Sequence, residues 1–169
     1  TYINQLKESG VDPLLLDAGD ALFELNFLAT GKEASSKLRA KTVFESTAKM
    51  GNYIYNVGHN DFAAGLDFLK QLEISANNNF ISSNIVKVGT DDLAFKSHTI
   101  IERNGIKVGV FGILSSLPAS MKELELKDAL SVISSKVEEL RPQVDVLVML
   151  INANKIQLDK LVSQTKNVD

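Results

Sequence analysis

The sequence contains no cysteine. That excludes a disulfide framework and any metal site built on thiolates, and it suits oxidising and reducing surroundings alike. It has no long uncharged apolar run, so it offers no membrane-spanning helix. Basic residues hold no majority: 18 Lys and Arg stand against 21 Asp and Glu, a formal charge of −3, with a pI near 5.4. The cations are dispersed, so no basic stripe argues for nucleic acid. The G-x-G-x-x-G and G-x-x-x-x-G-K-[ST] phosphate cradles are missing, and so is the G-x-S-x-G nucleophile elbow. Repeats and low-complexity tracts are also absent. The first residues hold no basic stretch leading into an apolar core, which leaves the compartment open.

What is present suits one globular domain over residues 1–169, at 44% hydrophobic and 23% charged. Ile3 and Leu6 share a face of a helix that Gly10 ends. Pro13 opens a short apolar run, Leu14 to Leu16, predicted to be a fully buried strand. Residues 32–50 repeat Ala40, Val43, Phe44, Thr47 and Ala48 at helical spacing. "YIYNVG" is a strand. A helix is predicted from Asp61, with Phe62, Leu66, Leu69 and Leu72 on one face and Asp61 as its cap. "NFISSNIV" is predicted as one further strand.

Asn104-Gly105 sits between two β-rich runs and predicts a hairpin with a type I′ turn. His98, in the first arm, is expected on the surface. Leu126, Leu130, Ile133, Val137 and Leu140 form the buried stripe of a helix that Pro142 stops. "VDVLVMLIN" is a continuous apolar run, expected to be a strand buried on both faces. Leu158, Leu161 and Val162 mark a last helix. Helices alternating with buried strands give an α/β fold with a largely parallel sheet.

In such sheets, sites form at the carboxyl ends of the strands. Three strand ends here are polar: "DAGD" with Asp17 and Asp20, "GHND" with His59, Asn60 and Asp61, and "LINAN" with Asn152 and Asn154. Carboxylate, imidazole and amide together are the ingredients of a hard or borderline metal site. Gly19 and Gly58 allow the sharp turns that would aim them outward. Each also has a plain alternative. "DAGD" is a common strand-to-helix connection, Asp61 a helix cap, His59 a solvated histidine and Asn152 a turn residue.

The order of "PLLLDAGD", "YNVGHNDFAAGLDFLK", "FISSNIV", "NGIKVGVFGIL" and "LRPQVDVLVMLIN" resembles the 5′-nucleotidase group of the calcineurin-like metallophosphoesterases over essentially the whole chain. The resemblance implies a four-layered α/β/β/α sandwich with mixed, largely parallel sheets, here incomplete at both ends. It also implies two divalent ions (Zn, Mn, Mg or Co), nucleotides or related phosphate esters as ligands, and a periplasmic or extracellular location. By resemblance Asp20 matches the metal-bridging carboxylate of the family's G-D motif. The family's G-N-H-[DE] matches Gly58-His59-Asn60-Asp61 with Asn and His exchanged. His59 thus stands at a metal-ligand position. Asn60 stands where the family's catalytic histidine does, and Asp61 where the acidic residue that orients that histidine does. Asn152 replaces a metal-ligand histidine.

The family's D-x-H strand should precede residue 1, and its G-H-x-H should follow "KNVD". Without that strand, an open sheet edge is expected to be covered by another chain or segment. These departures imply a domain that is weakly active or non-catalytic and serves as a binding or assembly module, with the family's two metal ions or none. The alternative is an active metal-dependent phosphoesterase.

Overall fold

A computed structural model of the chain describes residues 2–51, 53–75 and 79–169. Helix α1 (Tyr2–Glu8) is followed by β1 (Leu15–Asp17), α2 (Glu33–Ala48) and β2 (Tyr53–Asn56). Then come a 3₁₀ turn (Asn60–Ala64), α3 (Leu66–Ser75), β3 (Asn79–Ile81) and β4 (Ile85–Lys87). The hairpin of β5 (His98–Arg103) and β6 (Ile106–Leu114) leads to β7 (Leu124–Leu126), α4 (Ala129–Leu140), β8 (Val146–Asn152) and α5 (Lys155–Gln164).

Strands β1, β2 and β3 pair in that order as a parallel sheet. A second sheet runs β5-β6-β8, antiparallel at the hairpin and parallel beyond it. A ribbon of β4 and β7 is antiparallel. The two larger sheets lie between two helical layers, and strand alternation explains how. Tyr53 and Tyr55 of β2 pack with Ala40 and Phe44 of α2 and Leu69 and Leu72 of α3. Ile54, between them, packs with Ile81 and with Val110 of the second sheet. On that sheet Phe111 and Ile113 turn the other way, onto Ile133 and Leu140 of α4 and Leu161 of α5. This is the expected α/β/β/α order.

Asn104 and Gly105 have φ of 50 and 80, and Arg103 pairs with Ile106, as the type I′ prediction requires. Where the sheets face each other, the fully buried Asn56 donates from Nδ2 to the Ala18 and Ile113 carbonyls, each at 3.2 Å. Its neighbour across the gap is Gly112, where any side chain would run into the Asn56 amide.

Several elements depart from their sequence pattern. β1 and β8 are half-buried, because each lies at a sheet edge; at the β8 edge Asp169 donates its N–H to the Leu147 carbonyl at 3.0 Å, and its carboxylate accepts from the Leu147 N–H at 2.8 Å. "NFISSNIV" is two strands. Ser83 and Asn84 leave the first sheet to bond Gly112 and Leu114 of β6, which breaks the run at Ser82. The helix predicted from Asp61 starts only at Leu66, because Gly65 at φ 86 separates it from the 3₁₀ turn. Leu126 belongs to β7, and α4 begins after Asp128, whose carboxylate caps the Ser131 N–H at 2.9 Å. Leu158 and Val162 are exposed. His98 is half-buried, with Nδ1 2.8 Å from the Ser97 hydroxyl; burial first, then Lys136, lowers its pKa despite Glu139.

Candidate functional site

The turns after β1 and β2 touch. Gly19 (φ 100) lies so close to Gly58 and the Asn56 carbonyl that a Cβ would collide with backbone. At Gly58 a Cβ would meet the Asp20 carboxylate and backbone. The two glycines are therefore required by contact between turns. Asp17 steadies its own turn, accepting from the Gly19 N–H at 2.8 Å and the Tyr53 hydroxyl at 2.7 Å. Asp20 follows with φ of 66, in the left-handed region that aspartate tolerates better than most side chains.

Asp61 ties these turns together from within. It is fully buried and accepts from the Gly58 N–H at 2.7 Å, the Asp20 N–H at 3.1 Å and the Tyr55 hydroxyl at 2.7 Å. Burial pushes its carboxyl up to about 6, opposed by those three donors and assisted by the charge of Asp20. Tyr55 in turn accepts from the Ala21 N–H at 3.1 Å. Burial and the Asp61 carboxylate raise the pKa of its hydroxyl strongly. Asp61 is thus no helix cap: its acceptors face the β1 and β2 turns, and the 3₁₀ turn has no side-chain cap.

His59 and Asn60 project from the start of the 3₁₀ turn. The Asn60 N–H donates to Asp20 Oδ1 at 2.6 Å, and the His59 N–H to Asn152 Oδ1 at 3.1 Å. The structure therefore brings Asp20, His59, Asn60, Asp61 and Asn152 together at neighbouring strand ends. Asn154 stands apart, as the cap of α5 on the Gln157 N–H at 3.0 Å.

The imidazole is held on both sides. Nδ1 lies 2.9 Å from the Ser116 carbonyl and Nε2 2.9 Å from the Asn26 amide. A carbonyl oxygen only accepts, so Nδ1 carries the proton and Nε2 takes one from Asn26. Ser116 Oγ is 3.3 Å from Nδ1. In this tautomer Nδ1 has no lone pair for that hydroxyl, so the two do not form a nucleophile and base. Asn60 donates from Nδ2 to the Glu24 carbonyl at 3.1 Å.

These contacts decide how well a dinuclear metal centre fits. Both oxygens of Asp17, both of Asp61 and both ring nitrogens of His59 are engaged by protein groups. Of these side chains and Asp20, only Asp20 Oδ2 has no hydrogen-bond partner among the described residues. No group of three or more His, Cys, Asp or Glu with metal-binding placement occurs among them. Zinc asks for four ligands and magnesium or manganese for about six oxygens. The residues present do not fit a pair of such ions.

Asn26, Ser116, Tyr55 and Glu24 complete this junction without a local sequence signal. Tyr55 was legible only as a strand residue, and the others lie in loops whose contacts are long-range.

No family model matches the chain. It is 26% identical over 134 residues to a 5′-nucleotidase of Vibrio vulnificus, covering 79% of this chain and 23% of that protein. It is 25% identical over 143 residues to protein UshA of Yersinia enterocolitica, covering 81% and 25%. The chain thus spans about a quarter of the length of these curated relatives. Its fold is similar to that of the calcineurin-like phosphoesterase YfkN from Bacillus subtilis, with a TM-score of 0.74 and 19% identity, over 99% of this chain and 59% of that one.

Proposed function

We infer, for a chain that is a domain of the 5′-nucleotidase/metallophosphoesterase family, that it has kept the framework of that family and turned its site from turnover to binding or assembly. One observation carries this reading: apart from Asp20 Oδ2, the side chains at the ligand and catalytic positions are engaged in hydrogen bonds within the protein. His59 is locked between Ser116 and Asn26. Asn60 occupies the position that the resemblance gives to a histidine, and an amide does not titrate near neutral pH. Loss of a general acid typically costs about 10²–10⁴-fold.

Support for a binding or assembly role comes from two places. A cavity of about 420 Å³ is lined by Phe23, Leu25, Phe27, Lys32, Ser36 and Arg39, beside the site segment, and would suit a phosphate ester or nucleotide with an apolar part. The edge of β1, and that of β8 beyond the Leu147–Asp169 contact, would accept another segment or a partner chain. A periplasmic or extracellular setting is part of this reading, taken from the family resemblance. The alternative, a metal-dependent phosphoesterase acting on nucleotides, has Asp20 in its favour.

The test is phosphate release from nucleoside monophosphates and a chromogenic ester with Mn²⁺, Zn²⁺ or Co²⁺, alongside calorimetry with each ion. Asp20→Asn is the control, because asparagine tolerates the same backbone. Background-level release with no metal uptake is expected. Metal-dependent turnover that Asp20→Asn abolishes would refute the non-catalytic reading.

A further inference from the structure

The segment from Ala21 to Gly31 contains no helix or strand. Its root is fixed in the core by Leu22 and Phe23, 1% and 4% exposed, while Leu25 and Phe27 beyond them are 52% and 59% exposed. A segment anchored at its root and carrying apolar side chains outward needs further attachment to lie in one place. Beside Leu28, which packs on the core, and an exposed Glu24–Arg39 ion pair at 2.8 Å, the structure supplies it at two consecutive residues. His59 takes the Asn26 amide on Nε2 at 2.9 Å, and Asn60 donates to the Glu24 carbonyl at 3.1 Å. The opposite edge of the same imidazole holds the Ser116 carbonyl in the turn after β6, at 2.9 Å.

We propose that His59, Asn60 and Asn26 form a clasp that straps residues 21–31 to the strand ends and joins them to the turn after β6. The proposal rests on the reading above that these side chains serve structure rather than chemistry. In it, the exchanged order of His and Asn has a mechanical sense. A ring with two opposed nitrogens spans from one loop to another, whereas an amide at position 59 would be too short to reach both. Asn60, one residue on, needs only to reach a backbone carbonyl, which an amide does. His59 and Asn60 are positioning residues in this arrangement, and their partners lie 33 and 36 positions away in sequence.

Hydrogen–deuterium exchange followed by mass spectrometry tests this on the chain, on His59→Ala and on Asn26→Ala. In His59→Ala, the hydrogen-bonded amides of Ala21, Leu22 and Ser115, within the peptides covering 21–31 and 115–117, are expected to exchange about ten-fold faster or more, with the β2, β6 and α4 peptides unchanged. Asn26→Ala should loosen 21–31 alone, because His59 still holds Ser116. The double variant should match His59→Ala over 21–31, since both remove the same contact. Unchanged protection of 21–31 in both single variants overturns the clasp. So does faster exchange spread evenly over the chain, which would report general destabilisation. Should His59→Ala fail to fold, Asn26→Ala, whose side chain is half-exposed, decides alone. Phosphate release plays no part in this readout, so failure of the clasp and failure of the non-catalytic reading are separately visible.

Discussion

Replacing Asp61 with asparagine keeps the shape of the side chain and removes its charge, and the expected result depends on pH. Two effects oppose each other at this residue. Burying an ionised carboxylate costs several kcal/mol, whereas charge-assisted hydrogen bonds return part of that cost. The strongest donors are the Gly58 and Asp20 N–H groups and the Tyr55 hydroxyl, with the Leu22 N–H farther off at 3.4 Å, and burial still prevails, lifting the carboxyl from its ordinary 3.8 to about 6. The folded chain therefore binds more protons than the unfolded chain between those values. Stability conferred by Asp61 is fully present below the lower value and is lost as pH rises through the upper one. At roughly 1.4 kcal/mol per pH unit, the loss is about 3 kcal/mol.

The asparagine variant has no titration in that window. Its carbonyl can accept from Gly58 and Asp20 while its amide turns to the Tyr55 oxygen; the Leu22 N–H, 3.4 Å from Oδ1, loses its acceptor at every pH, a constant offset. Urea unfolding of both proteins from about pH 3.5 to about pH 7.5 should show the stability of the native chain, relative to the variant, falling by about 3 kcal/mol and then levelling. A difference that stays flat, or grows with pH, would refute the reasoning. It would mean that the donors outweigh burial and that the junction prefers the ionised carboxylate.

Gly112→Ala should lower stability by about 3 kcal/mol in urea unfolding, because the new methyl displaces the Asn56 amide from its two carbonyls. Adding Asn56→Ala should cost less than the sum of the two single changes, since one contact is counted in both. Asp128→Ala removes the cap on the Ser131 N–H of α4 and should cost about 1 kcal/mol, read from the urea midpoint at unchanged slope.

Local signals in the sequence were read correctly where they act locally. The Asn104-Gly105 pair dictates its turn through its own φ values, and Ile133 and Leu140 of α4 face the sheet because helical spacing puts them there. Burial on both faces was not legible for "LLL" and "VDVLVMLIN", because hydropathy does not record which strand ends up at an edge. The break in "NFISSNIV" was hidden for a similar reason. Ser83 and Asn84 find their partners on β6, about thirty residues away. Site positions Asp20, His59, Asn60, Asp61 and Asn152 do converge. What the sequence hid is their use: Asn26 and Ser116 meet His59 only after folding, and Asp61 is a buried clamp because two turns close over it.

Asp20 is the one position at which the resemblance finds its expected metal-bridging residue unchanged, and its backbone gives another account of that survival. At φ of 66 the position accepts aspartate, asparagine or glycine far more readily than other residues. Its Oδ1 also anchors the Asn60 N–H. A lineage that stopped using the site for chemistry would still be steered, by conformation and by that contact, toward aspartate or asparagine here. Persistence of this carboxylate is therefore a weak witness to catalysis. His59 and Asn152, neither of which has a positive φ, carry no such backbone demand.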